Sequence, residues 1–257
     1  MRFVGDDRLR TVAFPGARWL DHVGLWTPGD PDQLTTGDFE TAVILLHGTF
    51  DLVGGGTAWP ARGARTNECA GRPMAVFLPP KTPFRVGNGK GTILLMAARQ
   101  PVVREATGRE LLAQKPLLPL AGSGKSFDPN SGEWKPAETF PNAPESLPPR
   151  RFERIEVGGC VVERVFAPDY KAATLSVDEV VVPAGRTLAV RDIPRRPRAD
   201  ETMLFVRGAN ASVRSEGIDS AIGGDTAMVL RGAGDDTAIT TTSAPAYCVF
   251  AYAGKGN

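Results

Sequence analysis

The residues able to do chemistry gather in one stretch, Arg191-Asp192-Ile193-Pro194-Arg195-Arg196-Pro197-Arg198-Ala199-Asp200-Glu201. Arginine presents a planar fork of donors that meets a carboxylate or phosphate with two parallel bonds. Arg191, Arg195, Arg196 and Arg198 therefore read as a candidate site for a small anion. Glu201 adds a carboxylate that would either move a proton or form a structural ion pair on an exposed loop braced by Pro194 and Pro197. A second carboxylate pair, Asp235-Asp236, follows Gly232-Ala233-Gly234, where a polar turn also explains it.

A metal site needs several ligands converging on one point, and the chain has only two histidines, His22 and His47, both in its first half. Each reads as a hydrogen-bonded structural residue. Cys69, Cys160 and Cys248 are odd in number and far apart. That suits neither a disulfide framework nor a paired-cysteine metal site, and leaves buried, inert thiols. Gly122-Ser123-Gly124-Lys125-Ser126 looks like the tail of a phosphate-binding loop. Pro119 stands where that loop needs a glycine, and Phe127-Asp128-Pro129-Asn130 follows where it needs a helix. No metal, nucleotide or other cofactor is expected.

Composition sets the outer limits. Lys+Arg 30 against Asp+Glu 29 gives a net charge of +1, so no overall field draws the chain to nucleic acid or to an anionic membrane. Its 42% hydrophobic and 23% charged residues match ordinary folded proteins, and 29 Gly with 22 Pro favour many turns. The longest apolar runs, such as Ala42 to Leu46, fall far short of the roughly 20 residues a membrane helix needs. Met1 to Arg10 carries both charge signs with no apolar core behind it, so the cytoplasm is the expected compartment.

The elements that would position these residues are strands. Short β-branched runs recur between Gly, Pro and Asp clusters at Thr41 to Leu46, Met74 to Leu78 and Thr92 to Ala97. A second series covers Arg151 to Val157, Cys160 to Phe166, Leu175 to Val182, Leu188 to Arg191, Met203 to Arg207 and Ala246 to Tyr252. Helical periodicity is tolerable only over Val103 to Gln114. Pro116 to Pro149, rich in Pro, Gly, Ser and Asn, reads as a linker. The expectation is an all-β chain with an amino-terminal barrel over 1–105, a linker over 106–150 and a carboxyl-terminal barrel over 151–257.

Motif spacing gives this architecture a likeness. Glu201, then Thr202 to Arg207, then Gly208 matches the end of the first cupin motif, and Gly224, Leu230, Gly232 and Asp235 fill the slots of the second, with the glycines kept. The first half repeats the scheme with Glu40, Thr41 to His47 and Gly48. Thr36-Gly37-Asp38-Phe39-Glu40, the turn Phe77-Leu78-Pro79-Pro80-Lys81-Thr82 and the terminal Tyr247 to Gly254 carry the resemblance further. Over most of its length the chain resembles the 5-deoxyglucuronate isomerases of inositol catabolism. These are bicupins related to the ketol-isomerases of pectin breakdown.

The resemblance implies tandem cupin-like β-barrels and an aldose-ketose isomerisation of a sugar acid. In the family a divalent metal sits in the second barrel on two His of a His-x-His, a Glu and a later His. Here Arg191 and Ile193 stand at the first two positions, Asp235 at the last, and only Glu201 remains. On this scaffold Glu201 would serve as base, Arg191 as electrophile for the enediolate, and Arg195, Arg196, Arg198 and Asp235 would hold a small anionic sugar. Two further readings stay open: a bicupin that binds such a sugar without turnover, or an assembly scaffold whose sheet faces form a homodimer. The four tryptophans, Trp19, Trp26, Trp59 and Trp134, would either stack on a sugar ring or lie in the core.

Overall fold

A strand buried on both faces reads as an unbroken apolar run, and Thr41-Ala42-Val43-Ile44-Leu45-Leu46 is such a run. It lies near the start of one of the two longest strands of the first half. The computed structural model describes residues 1, 3–29, 31–54, 57–70, 74–99, 125–128, 133–136, 153–166 and 175–254. Strands β1 (Val4–Gly5), β2 (Leu9–Ala13), β3 (Leu20–Trp26), β4 (Asp32–Thr35), β5 (Phe39–Gly54), β6 (Thr57–Arg65), β7 (Ala75–Leu78) and β8 (Pro83–Arg99) make one sheet. Its order is β1-β2-β3-β8-β5-β6, with β4 paired to β8 and β7 to β5. Side chains alternate across β5. Thr41 and Val43 face inward, where they border the same interior as Phe84, whereas Glu40 faces the second half.

The second half carries β11 (Glu153–Val157), β12 (Cys160–Phe166), β13 (Leu175–Val182), β15 (Glu201–Arg207), β18 (Thr226–Arg231) and β20 (Ala246–Ala253) in one sheet, ordered β11-β12-β13-β20-β15-β18. A second sheet, β14-β19-β16-β17, joins β14 (Thr187–Ala189), β16 (Ala209–Ser215), β17 (Ile218–Gly223) and β19 (Ala238–Thr241). Val180, Leu204, Val206 and Phe250 from the first sheet meet Leu188, Val213 and Ile239 from the other in one buried cluster. Burial of each such side chain stabilises by about 1.5–3 kcal/mol. The opposite face of the larger sheet, with Val177, Met203, Phe205 and Val249, joins a cluster that continues into Trp19, Ile44 and Met96 of the first half. The two halves thus share a core.

Several expectations change in detail. In the repeated motif Gly48 stands where a glycine turns the hairpin, but β5 runs through it. There the backbone has φ +92°, and a Cβ would collide with the Lys90 carbonyl oxygen of β8. The glycine permits a bulge between crossing strands. The strand expected at Leu188 to Arg191 stops at Ala189 and turns into a single 3-10 turn over Val190–Asp192. Strands β1 to β4, β6 and β16 to β19 carry weak alternation and went unforeseen.

Within the expected linker the structure describes one hairpin, β9 (Lys125–Asp128) against β10 (Glu133–Pro136). Lys125 and Ser126 of the phosphate-loop lookalike therefore lie in a strand; the expected helix over 103–114 lies outside the described residues. Cys160 and Cys248 are buried, but Cys69 is exposed, contrary to expectation. Trp19, Trp26 and Trp59 are buried. No helix among the described residues is long and apolar enough to cross a membrane.

Candidate functional site

Strand parity decides what Glu201 does. On β15, Leu204 and Val206 point into the second barrel, while Met203 and Phe205 point at the first half. Glu201 shares the parity of Met203 and Phe205. Its Oε1 accepts the Arg18 backbone N–H at 2.7 Å, and its Oε2 accepts those of Trp19 at 2.9 Å and Leu20 at 3.2 Å. The expected base is therefore a clamp on the chain entering β3. Glu40 mirrors it: fully buried on β5, it accepts the backbone N–H of Leu175, where β13 begins, at 2.7 Å. Each half carries a motif glutamate that fixes the other half.

The arginines divide into two groups. Arg196 is mostly buried. It donates to the carbonyls of Ala233 at 2.7 Å and Ile193 at 3.3 Å, and pairs with Asp235. Two residues expected to bind substrate are thus brought together, and they tie the loop to the 232–235 turn. Arg191, Arg195 and Arg198 are exposed. Arg191 keeps 73% of its side-chain surface and lies 4.0 Å from Asp192. Arg195 keeps 81%, lies 3.4 Å from Glu153, and takes a left-handed backbone at φ +51°. Arg198 makes no ion pair among the described residues. Arg191 and Glu201 do not face a common point, since one is in solvent and the other is held by three amides.

A buried polar group lies behind this loop. Arg164 of β12 donates to Asp178 Oδ1 of β13 at 3.1 Å, to Glu153 at 3.3 Å and to the Pro194 carbonyl at 2.9 Å. Among the described residues, Asp178 Oδ2 and the Tyr252 hydroxyl have no hydrogen-bond partner of normal geometry. Burial pushes the Asp178 carboxyl above the usual range, against the opposing pull of Arg164. On the other face of β13, Glu179 pairs with Arg65 of β6 at 2.7 Å, with both side chains about 95% buried. Burial raises the Glu179 carboxyl and the neighbouring Tyr247 phenol alike. Sequence reasoning passed over these residues. The signal was an acidic pair, Asp178-Glu179, inside the otherwise apolar run Leu175 to Val182.

The first barrel holds a small cavity of about 100 Å³ bordered by His22, Thr11, Thr35, Thr36 and Thr41 among apolar side chains. His22 Nδ1 lies 2.8 Å from Asp21 Oδ2, as a structural histidine should, yet its ring also borders this space. His47, opposite Thr92 in the sheet, makes no side-chain hydrogen bond among the described residues.

The residues present do not fit the metal of the resembled family. Of the expected ligand positions, Arg191 is a cation in solvent, Ile193 is buried in the apolar cluster, and Asp235 is engaged by Arg196. Among the described residues no three His, Cys, Asp or Glu side chains converge as a metal site requires.

No protein-family model matches the chain, and no curated protein matches its sequence. Solved structures do. An IolB-like protein from Salmonella typhimurium LT2 aligns at TM-score 0.62 and 13% identity, over 94% of this chain and 86% of that one. Bacillus subtilis oxalate decarboxylase, which has Mn(II) centres, aligns at 0.55 and 13%, over 97% and 73%. Salicylate 1,2-dioxygenase from Pseudoaminobacter salicylatoxidans aligns at 0.51 and 14%, over 95% and 74%. At these identities the likeness shows the fold alone. Joined to the two halves described above, it shows the fold of this chain: two cupin-like β-barrels in tandem.

Proposed function

We propose that the chain binds a small anionic sugar of the uronate type at the arginine loop of its second barrel, on a 5-deoxyglucuronate-isomerase-like scaffold and without isomerase turnover. One observation carries this. At and beside the position of the resembled family's first ligand, the loop presents Arg191, Arg195 and Arg198 to solvent; the partners of Arg191 and Arg195 are too weak to compete with a bound carboxylate, and Arg198 makes no ion pair among the described residues. Exposed pairs at such distances contribute about 0–1 kcal/mol. Arg195 adds a second sign, because a left-handed backbone costs a residue with a Cβ roughly 1–2 kcal/mol. Turnover finds no support, since the candidate base Glu201 is engaged by three backbone amides of the first half.

The test is a thermal-shift titration with glucuronate and galacturonate, with and without divalent ions. A uronate at one hundred times its dissociation constant should add about 2.7 kcal/mol, and Arg191→Ser with Arg198→Ser should remove most of that gain. Conversion of the uronate to a ketose, followed by proton NMR, would restore the isomerase reading. Indifference to every uronate would favour the assembly scaffold.

A further inference from the structure

We infer that the first barrel carries a second, independent binding site, built on the Asp21–His22 pair, for a small neutral hydroxy compound. The cavity of about 100 Å³ lies inside the barrel, lined along neighbouring strands by Thr11 of β2, His22 and Gly24 of β3, Leu95 of β8 and Thr41 of β5, with Leu34 of β4 and Phe84 completing it. Liquid water takes about 30 Å³ per molecule, so the space suits about three waters or one solute of roughly four to six non-hydrogen atoms.

The polar groups are arranged to recognise a hydroxyl. Asp21 lies 2.8 Å from His22 Nδ1 and is itself fixed by Arg99, which also donates to the carbonyls of Ala17 at 2.8 Å and Leu20 at 2.7 Å. In the neutral ring, a carboxylate at Nδ1 holds the proton there and leaves Nε2 as an acceptor. The Phe39 ring stands edge-on to the imidazole at 5.6 Å and keeps it in place. Thr11 and Thr41 line the same space, and their hydroxyls make no hydrogen bond among the described residues. A ligand hydroxyl would donate to Nε2 and accept from a threonine, with its carbon skeleton against Leu34 and Leu95. A few convergent polar groups in an apolar hollow are the usual composition of a small-molecule pocket. Among the described residues no Lys or Arg borders the cavity, and the Asp21 carboxylate lies against the imidazole at Nδ1, so an anion is disfavoured. The site is thus separate in chemistry and place from the arginine loop. His22 keeps 30% of its side-chain surface, which gives the site an approach from solvent.

The test follows the His22 imidazole ¹⁵N resonances while propane-1,2-diol is titrated, with acetate as an anionic control of similar size. Without ligand, Nδ1 should carry the proton. The diol should move Nε2 along a saturating curve, and acetate should not. Gly24→Ala places a methyl 3.5–3.6 Å from Leu9 and Leu95, an ordinary contact, so the fold survives while the cavity shrinks. Its half-saturation should rise at least about tenfold, as expected when a small ligand loses its fit. Thr41→Val, which removes one hydroxyl at constant shape, should weaken binding several-fold. A linear drift, a curve unchanged by both substitutions, or an equal response to acetate would each overturn the inference and leave ordered water as the occupant.

Discussion

Replacing Glu201 with Ala should loosen the joint between the two barrels without touching ligand binding. The carboxylate accepts three backbone N–H groups of the first half. That of Arg18 is exposed and rehydrates at little cost. Those of Trp19 and Leu20 are partly buried and lose a carboxylate acceptor, at about 1–2 kcal/mol each, so the variant should lose roughly 2–4 kcal/mol. Glu201→Gln keeps one acceptor oxygen and should lose about half as much. Urea unfolding measures the total, and amide hydrogen exchange at Leu20 locates it, since about 1.4 kcal/mol corresponds to a tenfold faster opening. The mirror variant Glu40→Ala should speed exchange at Leu175, the amide it holds from the other side. A loss under about 0.5 kcal/mol, with Leu20 exchange unchanged, would refute the clamp. A lost uronate affinity at full stability would return Glu201 to the binding site.

The buried Arg65–Glu179 pair should behave as a desolvated ion pair. Arg65→Met alone should cost about 3–5 kcal/mol, and adding Glu179→Met should recover most of it, as read from urea midpoints. Two aspartates should give stability opposite pH slopes. Asp32, lowered chiefly by its Arg8 hydrogen bond, contributes stability above its ordinary value of 3.8 that is lost as pH falls, so Asp32→Asn should flatten the acid limb. Asp178, raised by burial, has the reverse sign: its contribution is present below 3.8 and lost as pH rises through its elevated value, so Asp178→Asn should gain on the parent with rising pH. Gly48→Ala should fail to fold or lose more than about 3 kcal/mol, because backbone of β8 occupies the Cβ position. Arg195→Gly should relieve the left-handed strain, raising stability by about 1 kcal/mol while weakening uronate binding.

Much of the second half was legible. Leu175 to Val182 and Cys160 to Phe166 are β-branched runs whose ends coincide with β13 and β12, because strands buried on both faces announce themselves by composition alone. Strands β16 to β19 were not, since half-exposed strands rich in Ser, Thr, Asp and Gly look like loops until a neighbour pairs with them. The arginine loop was found as a cluster of charge. Which of its members reach solvent was decided by Ala233 and Asp235, some 40 residues away in sequence, which hold Arg196 and leave Arg195 out.

The motif glutamates show where the division falls. By itself the sequence determined that the chain is a duplicated β structure, that it has too few histidines for the metal of the family it resembles, and that Glu40 and Glu201 occupy equivalent places. These are matters of residue type and spacing. Only the tertiary structure decided that both glutamates point between the barrels rather than into them. A strand turns alternate side chains to opposite faces, so a single step of register separates a ligand inside a barrel from a clamp outside it. The register of β15 is set by its pairing with β18 and β20 and by the core shared between the halves, and no local stretch of sequence contains that information.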